Sequence, residues 1–194
     1  MAKPKRNSYE WYVPKGLLKK NWMTKHLSQL PAVVVLFVDL DWSDPDLQDK
    51  VLDCSARLAN LRQALQGRTT KLALVLVQRS RPGGGGAAED GAVSAAESVT
   101  QLCTECELSS RAVFTLLVNG DELPHSVVKL ENSLHDMAQN YYHMEIKNIR
   151  GHREMINKTT HLYLFVRHQY KLGFLNELKS DFHSAYKAYQ VDYK

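Results

Sequence analysis

The stretch Ala32-Val33-Val34-Val35-Leu36-Phe37-Val38 decides the fold of this 194-residue chain. It is apolar at every position, rich in β-branched side chains, and bounded by Pro31 and Asp39. A strand with one buried face alternates apolar and polar residues, whereas a strand that is apolar throughout is typical of a parallel sheet covered on both faces. We therefore predict a buried strand over this stretch.

Two further apolar stretches, residues 72–77 and 112–118, are each separated from the preceding one by a helical pattern. Residues 46–66 and 92–108 place apolar side chains at spacings of three and four, which is the period of a helix packed on one side. The order strand, helix, strand, helix, strand predicts an α/β three-layer domain over residues 31–123, built on a parallel sheet.

From Pro124 onward the pattern is helical only. We expect a long first helix, a break at Gly151 or at residues 157–160, and then two helices, the last of them capped by Ser180-Asp181. Successive helices joined by a short turn favour a helical hairpin, so residues 124–194 are predicted to start an all-α solenoid of the tetratricopeptide type. The pattern stops without a polar capping helix, and we expect a piece of a longer polypeptide.

Positive charge is concentrated at the front of the chain. Residues 1–26 carry seven Lys and Arg against one Glu, a net charge of +6, whereas the whole chain carries +4. This basic, aromatic-containing leader, residues 1–30, suits contact with an acidic surface such as a membrane, or with nucleic acid, although its cations are few for the latter. Its aromatic side chains could instead dock the leader on the α/β domain.

A candidate interaction surface combines the leader with a basic pair in the second C-terminal helix. Its predicted members are Arg6, Tyr9, Trp11, Lys19, Lys20, Arg167 and His168.

The composition excludes several classes of protein. Hydrophobic residues make up 44% and charged residues 24%, which excludes a mainly disordered chain. The longest apolar run has seven residues, far short of the roughly 20 that span a membrane, and no secretory signal is present. Three cysteines do not make a disulfide framework in a chain of this length, which favours a reducing, cytoplasmic environment.

Two sets of residues invite a chemical interpretation. Asp39 and Asp41 follow the first strand, where α/β sheets place their ligands, and paired acids there could hold Mg²⁺ in a phosphotransferase. The same acids also suit a simple strand end, and the second strand lacks a phosphate-binding Ser or Thr at its end. Cys103 and Cys106 form a lone C-x-x-C, for which buried helix positions are favoured over a zinc site.

Several strings resemble a known family. They are Ser8-Tyr9-Glu10-Trp11-Tyr12-Val13-Pro14-Lys15-Gly16, Leu40-Asp41-Trp42, Leu65-Gln66-Gly67-Arg68, Asn157-Lys158-Thr159-Thr160-His161 and Phe165-Val166-Arg167-His168-Gln169-Tyr170-Lys171. On these strings the chain resembles the amino-terminal part of the trafficking protein particle (TRAPP) complex subunit 11 family, including the start of its foie gras domain.

The resemblance implies a non-catalytic scaffold subunit of a vesicle tethering complex. The expected roles are in ER-to-Golgi transport, Golgi organisation and autophagy, within an assembly that promotes nucleotide exchange on Rab-family GTPases. The expected partners are the other TRAPP subunits and, indirectly, a Rab GTPase, and the expected location is the cytoplasmic side of the cis-Golgi and the ER-Golgi intermediate compartment.

This interpretation includes no catalytic residue, cofactor, metal, nucleic acid or small-molecule substrate. Two alternatives stay open: a Mg²⁺-dependent phosphotransferase that uses Asp39 and Asp41, and a peripheral membrane or nucleic-acid-binding module that uses the basic leader.

Overall fold

The computed structural model describes residues 16–42, 44–79 and 90–190, with the side chains of residues 90–96 excepted. The chain divides into two compact units. The sheet unit comprises residues 31–144, and the helical unit comprises, among the described residues, 16–30 and 145–190. The division into residues 1–30, 31–123 and 124–194 that the sequence suggests stays a prediction.

The elements follow the predicted order of strands and helices. In chain order they are α1 (Trp22–Thr24) continued by a π-helical turn (Lys25–Gln29), β1 (Val33–Asp39), α2 (Leu47–Ala64), β2 (Lys71–Gln78), α3 (Asp90–Glu105), a 3-10 turn (Ser110–Ala112), β3 (Val113–Leu117), α4 (Leu123–Glu154), α5 (Leu162–Leu178) and α6 (Phe182–Tyr189). The sequence analysis did not predict α1 or the turn that continues it.

The sheet unit is built on three parallel strands in the order β1-β2-β3. Both crossovers step in the same direction, and crossovers of this kind are right-handed, so α2 and α3 lie on the same face of the sheet. One core cluster joins that face to both helices: it contains Leu74 and Leu76 of β2, Leu58 of α2 and Leu102 of α3. All four side chains are at most 1% exposed.

The first part of α4 lies beside β3 on the opposite face of the sheet. Ala73 and Val75 of β2, whose side chains point to this face, are fully buried. Met137 of α4 lines a cavity of about 680 Å³ together with Phe114 of β3, and the Leu117 N–H donates a hydrogen bond of 3.1 Å to the Ser126 hydroxyl. Helices therefore lie on both sides of the sheet, which confirms the predicted α/β fold.

The helical unit contains a hairpin of α5 and α6, which confirms the predicted all-α segment. The turn between them passes through Ser180, whose φ is 63°, and the Asp181 carboxylate then accepts a 3.0 Å hydrogen bond from the Ser184 N–H, as expected for the predicted cap. Of the two alternative positions predicted for the break, the one at Gly151 is wrong, since α4 continues through this residue to Glu154. A repeat beyond this hairpin stays a prediction.

Gly173 of α5 permits close contact between the two helices of the hairpin. A Cβ added to Gly173 would lie 2.3 Å from the nearest ring atom of Tyr189 on α6. Burial raises the pKa of the Tyr189 hydroxyl above its ordinary value, and Glu177 adds to the rise. Glycine in a helix interior costs about 0.5–1 kcal/mol relative to alanine, and here the close approach of Tyr189 offsets that cost.

We predict opposite effects for two Gly→Ala substitutions in helices of the same unit. Gly173→Ala is expected to lower the free energy of unfolding by about 1–2 kcal/mol, because displacement of Tyr189 costs more than the gain in helix propensity. Gly151→Ala is expected to raise it by about 0.5–1 kcal/mol, because nothing lies within 4 Å of the added Cβ. Urea unfolding followed by circular dichroism measures both, and equal effects would contradict the packing account.

Candidate interaction surface

The structure separates the residues that the sequence assigned to one interaction surface. Lys19 and Lys20 are exposed, while Arg6, Tyr9 and Trp11 lie outside the described residues. Arg167 and His168, by contrast, are only 6% and 9% exposed. The polar groups of these two residues bind atoms of this chain, and the interaction surface stays a prediction.

Arg167 is buried because two backbone carbonyl groups satisfy its guanidinium. Its Nε donates a hydrogen bond of 2.7 Å to the Leu17 carbonyl, and its Nη2 donates one of 2.8 Å to the Gly16 carbonyl. A buried cation is costly unless its donors find acceptors. These two bonds therefore hold residues 16–17 against α5, across 150 residues of sequence.

Aromatic contacts continue this attachment along α1. The Trp22 ring packs edge-on against Phe174 of α5 with 5.4 Å between centroids, and the Lys171 ammonium lies 5.4 Å from the Trp22 ring centroid. The Tyr170 hydroxyl donates to the Met23 sulfur at 3.7 Å. Aromatic docking of the leader therefore occurs at Trp22, with α5 as its partner, and docking on the α/β domain stays a prediction.

His168 is a buried, neutral side chain. Its Nδ1 lies 2.7 Å from the Leu164 carbonyl oxygen, which can only accept, so Nδ1 carries the proton. Burial lowers the pKa of His168 below its ordinary value; the bond to Leu164 opposes this shift, and Lys171 adds to it. The sequence did contain a signal for both buried residues, because Arg167 and His168 follow Leu164 by three and four positions, on the apolar face of α5, and polar residues at such positions need partners.

The two compact units carry opposite charge. Among the described residues of the helical unit, 16–30 and 145–190, eleven Lys and Arg stand against four Asp and Glu, a net charge of +7. Residues 31–144 of the sheet unit carry nine against fifteen, a net charge of −6. The basic leader thus belongs to a basic unit that the linear sequence does not display as one feature.

The acids proposed for phosphotransfer lie at the carboxyl edge of the sheet. Asp39 ends β1 and is exposed, and its carboxylate lies 3.4 Å from Arg79 Nη2, in an ion pair. Asp41 is half-buried and also has a partner. Within residues 16–42, 44–79 and 90–190, no three His, Cys, Asp or Glu side chains are placed to hold a metal ion together.

Gln78 ends β2 at the same edge of the sheet. It is 3% exposed, and neither its amide oxygen nor its amide nitrogen has a hydrogen-bond partner. A buried polar group without a partner costs about 1–3 kcal/mol. Gln78 is therefore expected to destabilise the sheet unit.

The three cysteines are core residues. The C-x-x-C spacing suggests a contact between Cys103 and Cys106, but the observed contact joins Cys106 to Cys54. The Cys106 sulfur lies 4.0 Å from the sulfur of Cys54 on α2, and all three thiols are free and buried. Burial raises the pKa of the Cys54 thiol to about 12, and it also raises the pKa of Cys103 and Cys106. Thiols held in this protonated state are poor nucleophiles and poor metal ligands, in accord with the helix-core interpretation.

The family model and the curated proteins that match this chain carry the same family name. A family model described as "Trafficking protein particle complex subunit 11 N-terminal domain" matches residues 8–123. Curated proteins named trafficking protein particle complex subunit 11 are 48% identical to the chain over 192 residues in Homo sapiens and Bos taurus, and 47% identical in Gallus gallus. Each alignment covers 99% of this chain but 16% of the relative, so the chain spans about one sixth of the relatives' length.

Replacement of the unpartnered Gln78 is expected to stabilise the protein. Gln78→Met keeps the approximate size of the side chain and removes both polar groups, so we predict a rise of about 1–2 kcal/mol in the free energy of unfolding. Gln63→Met, on the exposed side of α2, serves as the matched control and is expected to change it by less than about 0.5 kcal/mol. Urea denaturation measures both variants; a loss of stability in Gln78→Met would contradict the assignment of this amide as unpartnered.

The protein is expected to lose stability as the pH falls below 6.5, the ordinary pKa of histidine. Burial lowers the pKa of both His168 and His26 in the folded state, so the unfolded chain binds more protons in this range and acid favours unfolding. Each histidine contributes a slope of at most about 1.4 kcal/mol per pH unit. Urea unfolding between pH 5 and 7 measures the slope.

His168→Gln is expected to reduce this acid slope, because it removes one of the two groups that titrate differently in the folded and unfolded states. His183→Gln, at an exposed position of α6, is the matched control and is expected to leave the slope unchanged. An unaltered slope in His168→Gln would rule out burial of His168 as its source.

Proposed function

Because the chain belongs to the trafficking protein particle complex subunit 11 family, as its sequence resemblance predicts, we propose that it is the amino-terminal region of a subunit of a TRAPP-type vesicle tethering complex. The observation that carries the proposal is the 48% identity over 192 residues to proteins of that name. The chain corresponds to 16% of those relatives, so this region contributes part of a much larger subunit.

The proposed contribution is that of a scaffold without catalytic residues. One feature of the fold supports it. The buried thiols and the buried His168 are committed to packing. No described helix is long and apolar enough to cross a bilayer.

The finer roles follow from the resemblance. We propose that the full-length subunit acts in ER-to-Golgi transport, Golgi organisation and autophagy, and that it supports nucleotide exchange on a Rab-family GTPase through the assembly. The partners are then the other TRAPP subunits, and the location is the cytoplasmic face of the cis-Golgi and the ER-Golgi intermediate compartment. The boundary of the foie gras domain belongs to the same proposal. Membrane contact by the leader and phosphotransfer at Asp39 and Asp41 stay predictions from the sequence.

Affinity purification tests the assembly role. The full-length protein, tagged at its carboxyl terminus and expressed in cells of its own species, is expected to co-purify with the other TRAPP subunits, as judged by quantitative mass spectrometry. Their absence from the purified sample would overturn the proposal.

A matched pair of substitutions on α2 tests whether this region takes part in the assembly. Leu58 is fully buried in the core of the sheet unit, whereas Leu52 is 71% exposed on the same helix. Leu58→Asp disrupts the core and is expected to reduce the recovery of at least one subunit, while Leu52→Asp is expected to leave the fold intact. Equal recovery from Leu58→Asp and the unaltered protein would exclude the sheet unit from the assembly.

A further inference from the structure

The helical unit contains an apolar groove between its amino-terminal segment and the start of α5. This anchor groove, with a volume of about 540 Å³, is lined by Gly16, Leu17, Leu162, Tyr163 and Val166. Leu17 is 42% exposed and Leu162 is 51% exposed. Three aliphatic side chains and an aromatic ring therefore face solvent in a concave site, which is an environment suited to an apolar side chain of a partner.

The bonds from Arg167 fix the shape of the anchor groove. They bind the Leu17 and Gly16 carbonyl groups at 2.7 and 2.8 Å, so one wall of the groove is held to the other by a buried guanidinium. Arg167 follows the groove residue Val166 directly in α5. The groove is thus present before any partner arrives, and a partner does not need to order these walls.

Two cations follow one wall of the anchor groove in the chain. Lys19 and Lys20 are exposed, and the Cα of Lys19 lies within about 7 Å of the Cα of Leu17, because two residues span no more than that. In the described part of the chain, neither lysine, nor Lys171 on α5, has a carboxylate within ion-pair distance.

Other ionisable groups lie near Lys171. Burial lowers the pKa of Lys171, and the neighbouring cations Arg167 and Lys19 lower it further. Glu145 acts on His26, which also faces Lys25 and Lys171. The net charge of +7 over the described residues of the helical unit extends this field beyond the groove.

We propose that the anchor groove binds an acidic segment of a partner protein. An aliphatic or aromatic side chain of that segment occupies the space between Leu17 and Leu162, and Asp or Glu residues beside it pair with Lys19 and Lys20. A concave apolar site with a volume of about 540 Å³ suits a side-chain anchor, whereas a bilayer presents a flat surface. Lys19 and Lys20, which have no ion-pair partner among the described residues, supply the charge complementarity that favours an acidic segment over a neutral one.

This inference does not rest on membership of a tethering complex. The proposal depends on the shape of the anchor groove, the exposure of its side chains and the charges near it. Failure of the co-purification experiment would therefore leave it untouched.

Selection from a random peptide library displayed on phage, with the full chain as bait, identifies the preferred chemistry. Selected peptides are expected to share one large apolar residue flanked by Asp or Glu. The strongest peptide is then synthesised with a fluorescent label, and its dissociation constant is measured by anisotropy at low and high salt. The affinity is expected to fall as salt is raised, because exposed ion pairs are screened.

Substitutions at the groove test whether the selected peptide binds there. Leu162→Asp is expected to lower the affinity for the peptide about tenfold or more, because the apolar contact is lost. The double variant Lys19→Glu/Lys20→Glu is expected to lower it about threefold to tenfold, because two exposed ion pairs are lost. Two controls in the same unit are expected to bind as the unaltered chain does: Met155→Asp, which is 88% exposed and does not line the groove, and Lys147→Glu/Arg150→Glu, which has the same change in charge.

Circular dichroism confirms that each variant is folded before its affinity is interpreted. Selected peptides without acidic residues, or equal losses in the variants and their controls, would overturn the proposal.

Two further results would overturn the proposal of an acidic partner segment and assign the anchor groove to another occupant. Binding of phosphatidylserine vesicles that Leu162→Asp abolishes, without binding of any acidic peptide, would assign the groove to a membrane. Self-association that the same substitution abolishes would assign it to the acidic sheet unit of a second copy of the chain.

Discussion

Burial of β2 on both of its faces is the constraint that arranges the sheet unit. Leu74 and Leu76 are covered by the side that carries α2 and α3, while Ala73 and Val75 are fully buried on the opposite side. Apolar strand faces left in water would forfeit about 25 cal/mol for each Å² not buried. A long helix that begins soon after β3 meets this need, and the Ser126 hydroxyl fixes its start by accepting the Leu117 N–H.

The helical unit depends on a different interaction, the buried guanidinium of Arg167. Its two bonds to the Leu17 and Gly16 carbonyl groups connect residues that are 150 positions apart, and Trp22 and Phe174 extend the contact by ring packing. Because the carbonyl groups and the guanidinium satisfy one another, the polar atoms are removed from water without being left unpaired. One consequence is an apolar groove beside the bond; another is that Lys19 comes close to Lys171.

The attachment of residues 16–17 to α5 adds the nearby lysines to the basic helical unit. A chain with a net charge of +4 contains a basic helical unit and an acidic sheet unit, and the described residues of the former alone carry +7. Like charges held within one unit repel one another, so their concentration lowers stability and raises the attraction for an oppositely charged partner. The association of such a partner is therefore expected to be sensitive to salt.

The sequence by itself determined the three strands, the order of strands and helices from β1 onward and the Asp181 cap, because hydrophobic period and capping chemistry are local properties of the chain. It also indicated the family through strings such as residues 165–171. Only the tertiary structure decided that Arg167 and His168 are buried, that Cys106 contacts Cys54, and that residues 16–23 pack on α5. Those outcomes depend on contacts between residues far apart in the chain, and the spacing of neighbouring residues carries no information about which distant atoms will satisfy a buried charge.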